Sequence, residues 1–157
     1  MTLIDLANPT RFLALTERLL PWLAGLTAIL LAIANHLIQE YLYDRDFVRR
    51  LWNWQEFMEA ERPKEEATFA AFEKALKKLY AEYSFGYAER ESGVAASVIQ
   101  EVARLVAAAG PRLSTHNWRS AAAGNLGGWQ VTRTLFLLNA LMGAVGVPGG
   151  VFPNAWN

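Results

Sequence analysis

Two long stretches of this chain carry almost no charge, and that limits its folded states more than any motif does. From Leu19 to Gln39 there is no Asp, Glu, Lys or Arg, and from Ser120 to Asn157 the only charged side chain is Arg133. Apolar surface leaves water with a gain of about 25 cal/mol per Å², so both stretches must be buried against protein or lipid. The segment Glu40 to Glu66 is dense in both signs of charge and marks the region that meets water. The 15 basic residues balance the 15 acidic ones, so no net field attracts nucleic acid. The absence of cysteine excludes disulfides, iron–sulfur ligation and thiolate zinc sites within the chain, and His36 and His116 lie too far apart in sequence for a metal-ligand spacing. A length of 157 residues suffices for one domain with a real core.

Asn8-Pro9 has the cap and first-turn residues of a helix start. The apolar part of the first uncharged stretch, Leu19 to Ala34, is shorter than the roughly 20 residues that span a bilayer. Arg11 and Arg18 precede it as in a signal anchor, with no small-residue cleavage site after it, and Pro21 and Gly25 interrupt its first half. A buried core helix and a membrane segment are both open readings.

Ile29 to Tyr43 is amphipathic, and Asp44-Arg45-Asp46 can cap a second helix, Phe47 to Glu59, bearing Val48, Leu51, Trp52 and Phe57. Pro63 stands where a first-turn proline would open a third helix through Tyr83, with Phe69, Phe72, Leu76, Leu79 and Tyr83 on one face. Glu73, Lys74, Lys77, Lys78 and Glu82 form its solvated face. Ser84 to Gly93 reads as a connector. A fourth helix, Ala95 to Ala109, places Val98, Val102, Leu105 and Val106 inward and stops at Gly110-Pro111. Arg112 to Thr115 is a short strand candidate, and Gly128 to Met142 is a helix with little room for a wet face. Trp52, Trp54 and Trp118 read as packing anchors. The expected fold is therefore α/β, helix-rich, with one or few short strands.

The one polar island in the uncharged tail is Ser114 to Gln130. Helix, short strand, glycine-rich loop and helix follow one another there, the order in which open α/β sheets hold ligands at strand ends. Gly124, Gly127 and Gly128 let backbone amides approach a ligand, and the first turn of the next helix offers unpaired N–H groups to an anion. Arg119 adds a fork, and Thr115, His116, Asn117, Asn125 and Gln130 can hydrogen-bond a heterocycle edge. The same residues also suit a plain connector, since Gly-Asn-Leu-Gly-Gly lacks the lysine of a phosphate loop. No nucleophile–base pair, catalytic residue or metal ligand set emerges.

Resemblance adds a second layer. The runs AILLAIANHLIQEYLYDRDFVRRLWNW, GVAASVIQEVARLVAAAGPRLSTHNWRSAAAGNLGGWQVTRTLFLLNALMGAVGVPGG and VFPNAWN resemble an internal piece of molybdopterin oxidoreductase catalytic subunits. That resemblance, over residues 29–157, implies a partial oxidoreductase domain of the nitrate, sulfur-compound or formate type, inactive alone. It implies a molybdopterin guanine dinucleotide with molybdenum in the parent family, not held stably by this chain alone. Its partners would be the missing oxidoreductase domains or subunits. Thr115, His116, Asn117, Arg119, Asn125 and Gly127 are the positions it carries near the cofactor. Residues 1–28, MTLIDLANPTRFLALTERLLPWLAGLTA, resemble instead the amino terminus of the bacterial haem exporter protein C family, membrane proteins of cytochrome c maturation. They imply an apolar anchor or a fusion joined near Thr27. The alternative function is then a small membrane protein related to haem export, contacting the membrane through Leu19–Ile38, membrane-associated or periplasmic rather than freely cytoplasmic. A helical packing module without a ligand is a third reading.

Overall fold

The computed structural model describes residues 25–117 and 128–152. These form helices joined by tight turns. Helix α1 covers residues 25–39, followed by α2 (Arg45–Leu51), α3 (Trp54–Glu61), α4 (Phe69–Tyr80), α5 (Phe85–Ser92) and α6 (Ala96–Ala109). A single 3₁₀ turn, Gly110–Arg112, follows α6, and α7 spans Gly128–Leu141.

The α/β expectation is corrected. Among the described residues there is no strand, only an isolated parallel bridge between Val145 and Val151. The candidate strand from Arg112 leaves the 3₁₀ turn in an extended conformation at Leu113. No neighbouring extended segment pairs with it among the described residues, and a lone extended segment has no ladder to complete.

Helix α1 is the centre of the core. Ala28, Ala32, Ile33, Ala34, Leu37 and Ile38 are buried, and Ile33, Leu37 and Ile38 are among the largest side chains removed entirely from water. Around it α2 packs on α7, α3 on α4 and α5 on α6. Polar side chains of α1 tie these layers together at the ends of other elements. Asn35 Nδ2 donates to the Tyr83 carbonyl at 3.1 Å, and Gln39 Nε2 donates to the Lys77 carbonyl at 2.8 Å. Lys77 Nζ returns a bond to the Gln39 carbonyl at 2.6 Å.

The long second and third helices expected from periodicity are each shorter. Within the expected capping stretch Asp44 is the cap, its carboxylate accepting from the Phe47 amide at 2.8 Å. The helix then breaks at Trp52, whose backbone is extended, and restarts at Trp54. The break lets both indoles reach Phe72, at ring separations of 6.5 and 6.3 Å, while Trp54 also meets Phe69 at 5.6 Å. Pro63 opens no helix; Thr68 caps α4 instead, accepting from the Ala71 amide. Ser84 to Gly93 is not a connector but helix α5, capped by the Ser84 hydroxyl on the Tyr87 amide. In each case a short hydroxyl or carboxylate side chain satisfies one of the orphan amides of a first turn.

The inward face of α6 is corrected except at Val106, which packs against the core. Ile99 and Ala103 are buried, while Val98, Val102 and Leu105 are exposed. Both stripes obey the helical period. Ala103 and Ala88, each fully buried, allow close approach of α5 and α6, and that contact selects the stripe of smaller volume. On α7, Val131, Leu138 and Leu141 face inward, and Trp129 and Phe136 face out.

Helices α1 and α7 end alike. Leu42 N–H returns to the Leu37 carbonyl and Ala144 N–H to the Asn139 carbonyl, each at 2.8 Å, with Tyr41 and Gly143 left-handed between them. This six-to-one closure satisfies the last carbonyls of a helix. A Cβ at Gly143 would lie 2.5 Å from Asp44 Oδ2, and its φ is +63°. Gly143→Ala is expected to destabilise the fold by about 1–3 kcal/mol, measured by urea unfolding. A loss no larger than that of an exposed Gly→Ala change elsewhere would show that the Asp44 cap tolerates the methyl.

Candidate functional site

The segment singled out from sequence lies along α7. Beyond the 3₁₀ turn its side chains alternate, with Leu113, Thr115 and Asn117 half-buried and Ser114 and His116 exposed. That is the period of an extended chain, here used against a helix. Asn117 Nδ2 donates to Thr132 Oγ1 at 2.9 Å, and Thr132 Oγ1 donates to the Gly128 carbonyl at 3.0 Å. Asn139 Nδ2 donates to Thr115 Oγ1 and, at 2.9 Å, to the Leu135 carbonyl. Thr115 and Asn117 thus act as staples that hold the extended segment to α7.

Of the six residues carried as cofactor-binding positions, the structure brings Thr115 and Asn117 together on the α7 seam and turns His116 outward. Arg119, Asn125 and Gly127 lie outside the described residues, as does Trp118. Asn139, absent from the sequence reading of this region, is the centre of the seam. It is fully buried, and its Oδ1 has no hydrogen-bond partner among the described residues. Its signal was a lone amide within the apolar run LFLLNALM, since a buried amide in such a helix must find partners from another segment.

Beside the seam, Leu31, Tyr80, Arg133, Thr134 and Leu137 line a cavity of about 280 Å³. Thr134 Oγ1 is committed to the Gln130 carbonyl at 2.7 Å. Burial, and then the charge of neighbouring Tyr83, raise the Tyr80 phenol pKa. The Arg133 guanidinium rests 5.0 Å from the Trp129 ring centroid. Leu31 and Leu137 give this open depression its apolar lining, and Tyr80, Arg133 and Thr134 its polar groups. Among the described residues, no group of three His, Asp or Glu side chains is placed to hold a metal ion.

A second polar cluster was assigned to solvent by the sequence reading. Glu73 is only 6% exposed and is held from two sides. Tyr43 Oη donates to its Oε1 at 2.6 Å, and Arg45 grips both oxygens at 2.6 and 2.7 Å. Burial alone would raise the Glu73 carboxyl, but the bonds from Arg45 and Tyr43, with the charges of Arg45 and Lys77, outweigh it and hold the pKa below the usual carboxylate value. Lys77 Nζ lies 3.5 Å from the Tyr41 ring centroid. This cluster joins the α1–α2 turn to α4. It has the satisfied geometry of a structural clamp, without an unpaired group poised for proton transfer.

No family model matches the chain. A stretch of 47 residues is 68% identical to heme exporter protein C of Bradyrhizobium diazoefficiens, covering 30% of this chain and 17% of that protein. The chain therefore matches well under a fifth of its relative's length. These findings correct the molybdopterin oxidoreductase reading. The nitrate-, sulfur-compound- or formate-type assignment finds no support in the family models or in the curated relative, and the described residues lack the α/β arrangement it required.

Proposed function

We propose that the chain is a small membrane-associated protein related to haem export in cytochrome c maturation. The observation that carries this reading is the 68% identity to heme exporter protein C over 47 residues. The uncharged stretch Leu19–Ile38 supports membrane contact. No helix of the described residues is long and apolar enough to cross a membrane. Residues 28–38 supply core side chains such as Ile33 and Leu37, which face protein rather than lipid. The association is accordingly assigned to the earlier part of the stretch, Leu19 to Leu26. Leu26 is partly exposed at the start of α1, where it is available to an apolar phase.

Fractionation of bacterial cells expressing the full chain tests this. The chain is expected in the membrane pellet and is expected to resist a high-salt wash, because apolar contact is insensitive to screening. Leu20→Asp with Leu23→Asp is expected to move the bulk of it to the supernatant, since a carboxylate in an apolar phase costs about 2.5–3.5 kcal/mol per site. Wild-type chain recovered folded in the soluble fraction would sink the reading.

A further inference from the structure

The α3–α4 junction presents a cleft of about 410 Å³ lined by Arg62, Glu65, Lys74, Ala75 and Lys78. Arg62 is the cap residue that ends α3, and the Glu65 amide donates to its carbonyl at 2.9 Å to close the turn beneath the cleft. Lys74 and Lys78 stand four residues apart on α4, so they share one face and repel each other. Neither makes an ion pair among the described residues, where Arg45 pairs with Glu73. Three cations and one carboxylate therefore line the same space. The buried Nε of Arg62 also has no hydrogen-bond partner among the described residues. An anion in the cleft would relieve the Lys74–Lys78 repulsion and meet the Arg62 charge.

We propose that this cleft binds a phosphate group. A guanidinium fork and two ammonium groups suit an anion with several peripheral oxygens, because each cation can address a different one. The volume leaves room for a small organic body beyond the phosphate. Free phosphate, a soluble monoester and a phospholipid headgroup share this chemistry. The proposal does not rest on the haem-export reading.

The test uses the full chain and two probes. Inorganic phosphate is titrated against sodium chloride at matched ionic strength, with thermal unfolding as readout. Binding to phosphatidylcholine vesicles with and without phosphatidic acid is measured by flotation. Lys74→Gln with Lys78→Gln, at exposed positions that leave the core untouched, is expected to weaken the response by about tenfold or more. Arg62→Lys keeps the charge, loses the Nε donor, and is expected to weaken it as well. Arg90→Gln with Arg104→Gln removes equal charge elsewhere and is expected to change nothing. A phosphate response that depends on Lys74 and Lys78 identifies a soluble ligand. A response confined to phosphatidic acid vesicles with the same dependence identifies a headgroup. A lysine double variant that matches wild type in both arms overturns the proposal. So does an equal loss in the Arg90/Arg104 variant, which would reduce the effect to diffuse charge.

Discussion

Leu37→Ala is expected to lower the unfolding free energy by about 3–4 kcal/mol, the largest effect of any single change considered. Leu37 is fully buried on α1 and belongs to the same cluster as Ile33, Ile38, Val48, Leu141 and Ala144. Truncation removes the transfer free energy of the lost carbons and leaves a cavity that packed helices close only in part. A domain of this size has about 5–15 kcal/mol to lose, so the variant should unfold at a much lower urea concentration with an unchanged slope. The experiment also decides between two roles for the uncharged stretch. A helix lying in lipid would lose little unfolding stability from this change, because the side chain would leave no protein cavity. A loss below about 1 kcal/mol would therefore show that α1 is not the centre of a protein core.

The second large effect is expected at the Glu73 clamp. Glu73→Gln should cost about 2–3 kcal/mol near neutral pH, the range for charge-assisted hydrogen bonds taken from a buried acceptor. Arg45 contributes less than a buried partner would, because its side chain is 55% exposed and water screens it. The pH dependence carries a sign that tests the cause. Glu73 has a lowered carboxyl pKa in the folded protein, so on acidification the unfolded state takes up the proton first. The stabilisation is full above the unfolded carboxyl value of about 4.3 and disappears as pH falls through the lower folded value. Wild type should lose stability through this acid range, and the Glu73→Gln variant should lose distinctly less. Parallel profiles for the two proteins would show that other carboxylates carry the acid transition.

Several elements were legible in the residues themselves. The stop at Gly110-Pro111 ends α6 at Ala109, and the apolar run ending at Gly143 delivers α7 almost to the residue. Both signals are local, since a left-handed glycine terminates a helix whatever surrounds it. Helix α5 was missed although Ser84 caps it, because Gly86 and scattered charges gave its short run no clear apolar face. The burial of Glu73 was missed for a different reason. Positions 69, 72, 73, 76 and 80 lie on one face at helical spacing, so geometry put Glu73 at the core edge while its charge argued for water. Only its partners, Tyr43 and Arg45, some thirty residues earlier, make burial tolerable.

The polar island shows the same division. The helix after it was readable, but the strand expected at Arg112–Thr115 is a lone extended segment, and Thr115 and Asn117, expected to face a cofactor, hydrogen-bond a helix of the same chain. The partner is a helix carrying Asn139 and Thr132 rather than a sheet, and a strand cannot be told from an isolated extended segment without knowing what lies beside it. The oxidoreductase resemblance is not supported by the family models or by the curated relative, which favours the haem-export alternative.

By itself the sequence determined which segments had to leave water, where α6 and α7 end, and that no thiolate chemistry is available. Those properties follow from charge, period and cap residues, each of which acts over a few residues. Tertiary structure alone decided which stripe of α6 faces inward, that helix 47–59 breaks to seat two tryptophans on Phe72, that Glu73 is clamped, and that Arg62, Lys74 and Lys78 share one cleft. Each of these depends on side chains from distant segments meeting in space, and their energies depend on that desolvated encounter.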